Sequence, residues 1–225
     1  MTAVSAPVAA RTARVLLPPP GRLGALLAVL TLPAWIAAFL TLTAGFGVKS
    51  DEQATFTPAQ QAAEYQGNTG GSWAFGIVTV VAILLLAIAP AVLAVAVARL
   101  RRLRVAAAVV VLLCAVGLVL EGIVEASYFG LLASPPDALP GWVETLAGPD
   151  ANTVLNAVGW AAIDVAVPLA ALLLSRVRAL PRMGLVVAII GGVIAVAGAA
   201  LLFFQPMVPA VLLLVLGVPL LRRRK

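Results

Sequence analysis

Residues 73–98 read WAFGIVTVVAILLLAIAPAVLAVAVA, residues 99–104 read RLRRLR, and residues 105–130 read VAAAVVVLLCAVGLVLEGIVEASYFG. A helix of about 20 apolar residues already crosses the roughly 30 Å hydrocarbon core of a bilayer. Two longer apolar stretches joined by a short arginine-rich segment are typical of a membrane hairpin with its loop at the membrane surface. This stretch therefore predicts an integral membrane protein.

The composition of the whole chain agrees with that class. Hydrophobic residues make up 63% of the 225 residues and charged residues only 11%, against about 25% charged in ordinary globular proteins. The chain has no histidine and a single cysteine, which excludes histidine-based catalysis, an intrachain disulfide and a cysteine-cluster zinc site. We therefore predict no metal and no cofactor. The net charge of +6 comes from arginines at helix ends, so no nucleic-acid partner is predicted.

Six membrane spans are predicted along the chain, and the fold class is an all-α integral membrane bundle. Their approximate bounds are 22–48, 73–98, 105–130, 153–175, 183–204 and 206–221. The last is short, but six spans place fourteen basic residues on one face of the membrane. They are Arg11, Arg14, Arg22, Arg99, Arg101, Arg102, Arg104, Arg176, Arg178, Arg182, Arg222, Arg223, Arg224 and Lys225. The excess of basic residues in cytoplasmic loops then predicts that both termini are cytoplasmic.

Three segments follow from these bounds. Residues 1–21 are predicted to be a flexible basic tail, 22–221 the transmembrane domain and 222–225 a basic C-terminal tail. The first apolar run is too long for the hydrophobic core of a signal peptide, so we expect a retained span. Because the Arg, Ala and Val bias is typical of GC-rich bacterial genomes, the predicted location is a bacterial inner (cytoplasmic) membrane, crossed several times.

Two longer loops lie on the outer side in this prediction. Thr57-Pro58-Ala59-Gln60 has the pattern of a capping box with proline at the first helical position, which predicts a short helix ending near Gln66. The second loop contains four prolines and Trp142, which we expect at the level of the lipid headgroups. The loops are either surface connectors or a lid over the outer end of the bundle.

Small residues recur along the fifth span at alternating steps of four and three. They are Gly184, Ala188, Gly191, Ala195 and Gly198. Such a face lets another helix approach closely in lipid, where close backbone packing is a main source of helix association. It predicts a helix-packing partner within the bundle or in a homo-oligomer, with Val187 facing lipid.

The third span carries the first group of candidate site residues. Glu121, Glu125 and Tyr128 follow each other at steps of four and three, so they share one helix face. Carboxyl groups inside a bilayer are costly, and they mark functional sites by default. We expect Glu121 to be protonated beside an ionised Glu125, in ligand binding or proton handling. The alternative is that both face water at the end of the bundle.

The fourth span carries the second group. Asn156, Trp160 and Asp164 lie four residues apart and form a polar stripe that descends from the outer surface. Asp164 falls near the middle of the bilayer, where desolvation penalises its anion, so we expect it to be protonated and to face the bundle interior. The two polar faces predict one outward-opening acidic cleft. Asp164 has an alternative structural role, donating a hydrogen bond to a carbonyl freed by a proline.

The junction of the fourth and fifth spans reads SRVRALPRMG over residues 175–184. Its Ser-Arg…Leu-Pro-Arg-x-x-Gly pattern resembles that of an uncharacterised family of small, actinobacterial-type polytopic membrane proteins, a domain of unknown function. The resemblance implies a helical membrane bundle and supplies no activity and no catalytic residues.

Three functions are compatible with these residues. The first is non-enzymatic binding of a small amphipathic or cationic ligand in the acidic cleft. The second is a membrane-embedded enzyme that modifies a lipid or isoprenoid, with a buried carboxyl as general acid. The third is a structural or accessory membrane subunit. The sequence favours a protein that is not an enzyme, with the lipid bilayer as its surroundings and a small molecule or lipid as its ligand.

Overall fold

A computed structural model describes residues 17, 20–46, 56–100, 103–201 and 206–222, and every regular element in these ranges is an α-helix. The helices are α1 (Gly21–Phe46), α2 (Pro58–Gly67), α3 (Thr69–Ala98), α4 (Arg104–Ala133), α5 (Gly141–Ala147), α6 (Pro149–Arg176), α7 (Pro181–Leu201) and α8 (Met207–Arg222). Five of them, α1, α3, α4, α6 and α7, are long and apolar enough to cross a membrane. The prediction of an all-α, multi-pass membrane protein is therefore confirmed at this level.

The sixth predicted span corresponds to α8, which has only 16 residues. Residues 1–16, 18–19 and 223–225 lie outside the described residues, and with them most of the two predicted tails.

Helix boundaries follow from local signals in the sequence. At α2 the Gln60 N–H donates to the Thr57 hydroxyl (3.3 Å), and the Thr57 N–H donates to the Gln60 side chain (2.8 Å). The predicted capping box is thus confirmed. Helices α6 and α7 both begin at a proline, whose missing N–H costs nothing at a first helical position. The turn before α7 places Arg178 at φ 58° and is closed by the Ser175 hydroxyl, which donates to the Pro181 carbonyl (2.7 Å).

The long helices that share the largest contacts (α1 with α3 and α8, α3 with α4, and α6 with α4 and α7) run antiparallel, so the beginning of one lies beside the end of the other. A Cβ atom at Gly24 would lie 3.1 Å from the Leu93 nitrogen, and one at Gly217 would lie 2.7 Å from the Ala25 carbonyl oxygen. The beginning of α1 therefore lies beside the ends of α3 and α8. We call this the basic end, because every described Lys and Arg lies there, and we call the opposite end, which carries α2 and α5, the cap end.

Helices α3 and α6 occupy the centre of the bundle. They are in contact with each other and bury a larger part of their surface than α1, α4 or α7. Helix α1 packs on α3 and α8, while α4 and α7 pack on opposite sides of α6. The polar stripe of the fourth predicted span thus lies on a central helix.

The small-residue face of α7 is largely buried, as predicted. A Cβ at Gly184 would lie 2.6 Å from the Ala171 carbonyl oxygen of α6, and one at Gly191 would lie 3.1 Å from Leu212 of α8. The expectation that Val187 faces lipid is wrong, because its side chain is only 3% exposed. Val187 lies four residues before Gly191 and therefore shares its face.

Substitution of Gly191 by leucine is expected to destabilise the bundle, because the added side chain separates α7 from α6 and α8. Gly192 is the matched control, since a Cβ there meets no atom within 4 Å. We expect Gly191→Leu to lower the thermal unfolding midpoint in detergent by roughly 5 °C, while Gly192→Leu leaves it nearly unchanged. Equal midpoints for the two variants would contradict this packing.

The two loops at the cap end form a packed cap. Ala62 of α2 and Val143 and Ala147 of α5 bury their side chains against Leu131 near the end of α4. The Gln66 side-chain amide donates to the carbonyls of Leu131 (2.8 Å) and Ser134 (2.7 Å). These contacts fix α2 over the ends of α3 and α4, so the described parts of both loops are ordered parts of the fold.

Candidate functional site

A cavity of about 340 Å³ lies beneath the cap, between α2, α5 and the ends of the long helices. The residues that line it are Gln61 and Tyr65 of α2, Phe75 of α3, Val124, Glu125, Ser127, Tyr128 and Leu131 of α4, Ala147 of α5, and Pro149, Asn152 and Thr153 of α6. Pro149 and Thr153 are exposed and lie at its rim. Small-molecule sites are usually concave and combine apolar walls with polar groups that orient the ligand, and this wall carries polar and apolar groups in similar measure.

Most polar groups of the cavity wall already have a partner within the protein. The Ser127 hydroxyl donates to the Val124 carbonyl (2.7 Å), and the Asn152 side-chain oxygen accepts from Asn156 (2.8 Å). Gln61 donates to the Phe56 carbonyl (3.2 Å). Glu125 differs, because its Oε2 atom is buried and has no hydrogen-bond partner. Glu125 is therefore a wall residue whose carboxyl group the protein leaves incompletely hydrogen-bonded.

Three aromatic rings line the same cavity as this carboxyl group. Tyr128 lies between Tyr65 and Phe75, with ring centroids 5.1 Å and 5.9 Å away. The Tyr128 hydroxyl donates to the Ser72 carbonyl (2.8 Å), which fixes the ring in place. Burial, together with the charge of Glu64, raises the pKa of Tyr65, so this phenol stays neutral. Aromatic ring faces and carboxylates are both groups that attract organic cations.

Glu121 lies one helical turn below Glu125 and does not line the cavity. Its side chain is only 1% exposed, and its Oε1 atom has no hydrogen-bond partner. It lies against Gly159 of α6, where even a Cβ atom would overlap with it. A Cβ at Gly117, one turn further down, would lie 2.9 Å from the Gly159 carbonyl oxygen. The close approach of α4 and α6 at these glycines encloses the Glu121 carboxyl group.

The residues of the polar stripe of α6 lie in two different environments, one near the cavity and one deeper in the bundle. Asn156 is bonded to Asn152 near the cavity, whereas the Trp160 ring contacts Trp35 of α1 at a centroid distance of 5.5 Å, edge to face. Asp164 is 7% exposed, and its Oδ1 atom has no hydrogen-bond partner. Its burial agrees with the expectation that it faces the bundle interior. Its protonation and its structural alternative stay predictions.

The structure brings Glu125 and Tyr128 together in the cavity, with Asn156 just outside and Glu121 sealed below. Trp160 and Asp164 lie deeper, so the described carboxyl groups do not all line this cavity. Tyr65, Phe75 and Gly159 contribute to the site and were not expected from the sequence. The one sequence feature that pointed toward Tyr65 was the predicted capped helix on which it lies. Phe75 and Gly159 belong to the site because of how α3 and α6 are aligned with α4, and this alignment is not visible in the sequence.

Among the described residues, no group of three or more His, Cys, Asp and Glu side chains is arranged to hold a metal ion. Comparison with protein-family models, characterised proteins and solved structures finds no match to this chain. The resemblance at residues 175–184 therefore stays a prediction.

Proposed function

We propose that this multi-pass membrane protein binds a small amphipathic cation in the cavity at the cap end. The observation that carries the proposal is the half-buried Glu125, whose Oε2 atom has no hydrogen-bond partner and which lines the same cavity as Tyr65, Phe75 and Tyr128. A carboxylate supplies the charge, and the aromatic faces stabilise a weakly hydrated organic cation more than a small, strongly hydrated metal ion. The proposed activity is binding without covalent chemistry.

Benzyltrimethylammonium is a suitable probe, because it joins an aromatic ring to a quaternary ammonium group. Neopentylbenzene is its neutral match, since carbon replaces the charged nitrogen. We expect saturable binding of the cation to change the intrinsic fluorescence of the purified protein in nanodiscs. The neutral molecule should bind at least tenfold more weakly, which corresponds to about 1.4 kcal/mol. Equal affinities would contradict a cation site and favour the alternative of a lipid or isoprenoid substrate.

We further propose that α8 completes a six-span bundle with both termini in the cytoplasm of a bacterial inner membrane. The end of α8 lies beside the beginning of α1. The described acids of the cap region, Glu64, Asp137, Glu144 and Asp150, lie at the end opposite to the arginines. This charge distribution along the bundle supports a cytoplasmic basic end.

Single cysteines at exposed positions test this orientation. A membrane-impermeant maleimide is expected to label Glu144→Cys in intact cells and to label Arg222→Cys only after the membrane is permeabilised. The native Cys114 is buried, which keeps the background low. Labelling of Arg222→Cys in intact cells would contradict the six-span arrangement.

A further inference from the structure

Glu121 has no role in the proposed cation site, although it is the most completely buried carboxyl group among the described residues. It lies on the same face of α4 as Glu125, one turn nearer the middle of the bundle, so the two carboxyl groups are neighbours on the helix surface. A buried carboxyl oxygen without a partner is costly as an anion, whereas a protonated carboxyl group is neutral. The enclosed position of Glu121 therefore suits a group that holds a proton.

We propose that Glu121 and Glu125 share one proton and release it when a cation enters the cavity. This inference rests on the proposed cation site. One proton on the pair leaves a single negative charge. A monovalent cation that arrives as the proton departs compensates the second carboxylate, so the net charge of the site stays at one negative charge and no uncompensated charge is added. The proton leaves through the cavity, which Glu125 lines and whose rim is exposed.

Among the described residues, no basic group lies close enough to neutralise the Glu121–Glu125 pair. Arg104 begins the same helix and Arg176 ends α6, but at roughly 1.5 Å per residue each lies several helical turns from the level of Glu121 and Gly159. The other titratable groups on the elements packed around the pair are Cys114 and Tyr128 of α4, Asp150 and Asp164 of α6, Glu64 and Tyr65 of α2, and Glu144 of α5, while the described part of α3 carries none. All of these are acids or weak acids, so they favour retention of the proton in the empty site.

The geometry also separates the tasks of the two residues. Glu125 reaches the cavity and contacts the cation, whereas Glu121 is enclosed against Gly159 and acts through Glu125. Glu121 is thus a positioning residue for the proton. Glu121→Gln should retain the cation site and lose the exchange, because glutamine has nearly the same shape and no titratable proton.

The test is the pH dependence of benzyltrimethylammonium affinity in the intact protein in nanodiscs. Release of one proton per cation predicts that the wild-type dissociation constant falls about tenfold for each unit of rising pH around neutrality. Glu121→Gln should bind the cation with a dissociation constant that changes less than about twofold over the same range. Glu144→Gln, which removes an exposed carboxyl outside the cavity, should behave as the wild type.

A second measurement uses only the wild-type protein, so it does not depend on the folding of Glu121→Gln. Infrared spectroscopy of the wild-type protein at neutral pH should show a protonated carboxyl band that diminishes when the cation binds. Saturable binding with no pH dependence and no change in this band would overturn the exchange and leave the cation site intact. Failure of the cation to bind at any pH would overturn both proposals.

Discussion

Gly117→Leu is expected to lower the thermal unfolding midpoint in detergent by roughly 5–10 °C. A Cβ atom at position 117 would lie 2.5 Å from Cγ1 of Ile163 and 2.9 Å from the carbonyl oxygen of Gly159. The carbonyl belongs to the backbone of α6 and cannot rotate away, so a leucine forces α4 and α6 apart. Overpacking of this kind typically costs about 1–3 kcal/mol, and each kcal/mol corresponds to about 2–4 °C in a protein of this size.

Gly122 provides the matched control on the same helix. A Cβ atom there meets nothing within 4 Å, and the residue is exposed on the surface of the bundle. Gly122→Leu therefore adds the same side chain to α4 without a clash, and it removes a flexible glycine from a helix. Its unfolding midpoint should equal or exceed that of the wild type. A loss of stability in both variants would show that the position of the glycine relative to α6 is not the cause.

The sequence predicted the long helices well because each depends on a local property. An apolar run of bilayer length and the arginines that bound it are visible without knowledge of any neighbour. The start of α6 was predicted near residue 153, whereas the helix begins at Pro149. The capping box at Thr57 is equally local. In contrast, the short helix α5 was not predicted, because it is held by the contact of Val143 with α4 and has little signal of its own.

The site was only partly predictable for the same reason. Steps of four residues correctly place Glu121 and Glu125 on one face of α4, but they do not reveal which helix that face meets. The structure pairs Glu121 with Gly159, which is not one of the predicted stripe residues Asn156, Trp160 and Asp164. This pairing encloses the carboxyl group against a glycine instead of placing it beside a polar side chain.

The cap illustrates a third limit. Tyr65 and Phe75 attract no notice in the sequence, since one lies on a short polar helix and the other near the start of an apolar span. They become wall residues because the Ser72 hydroxyl donates to the Tyr65 carbonyl (2.7 Å) and the Ser72 carbonyl accepts from Tyr128. These bonds join α2, α3 and α4 at one point. Such long-range pairing has no periodicity, so it is not readable from one segment.

Glu125→Gln is expected to weaken the binding of benzyltrimethylammonium by about a hundredfold. The substitution keeps the size of the side chain but removes the negative charge from the cavity wall. The quaternary ammonium has no N–H to donate, so its attraction to Glu125 is electrostatic. Close charge pairs at interfaces are typically worth about 1.5–7 kcal/mol, and a factor of one hundred corresponds to about 2.7 kcal/mol. Isothermal titration of the variant and the wild type in the same nanodiscs measures the difference directly.

Two comparisons separate this charge effect from its alternatives. Glu144→Gln changes the net charge of the protein equally but lies on the exposed side of α5, so its affinity for the cation should stay within about twofold of the wild type. Neopentylbenzene should bind Glu125→Gln as well as it binds the wild type, because the Tyr65, Phe75 and Tyr128 rings remain in place. If both glutamine variants lost affinity equally, the cation would be held by the general negative potential of the cap end. Full affinity of Glu125→Gln for the cation would show that this carboxyl group does not contribute to binding.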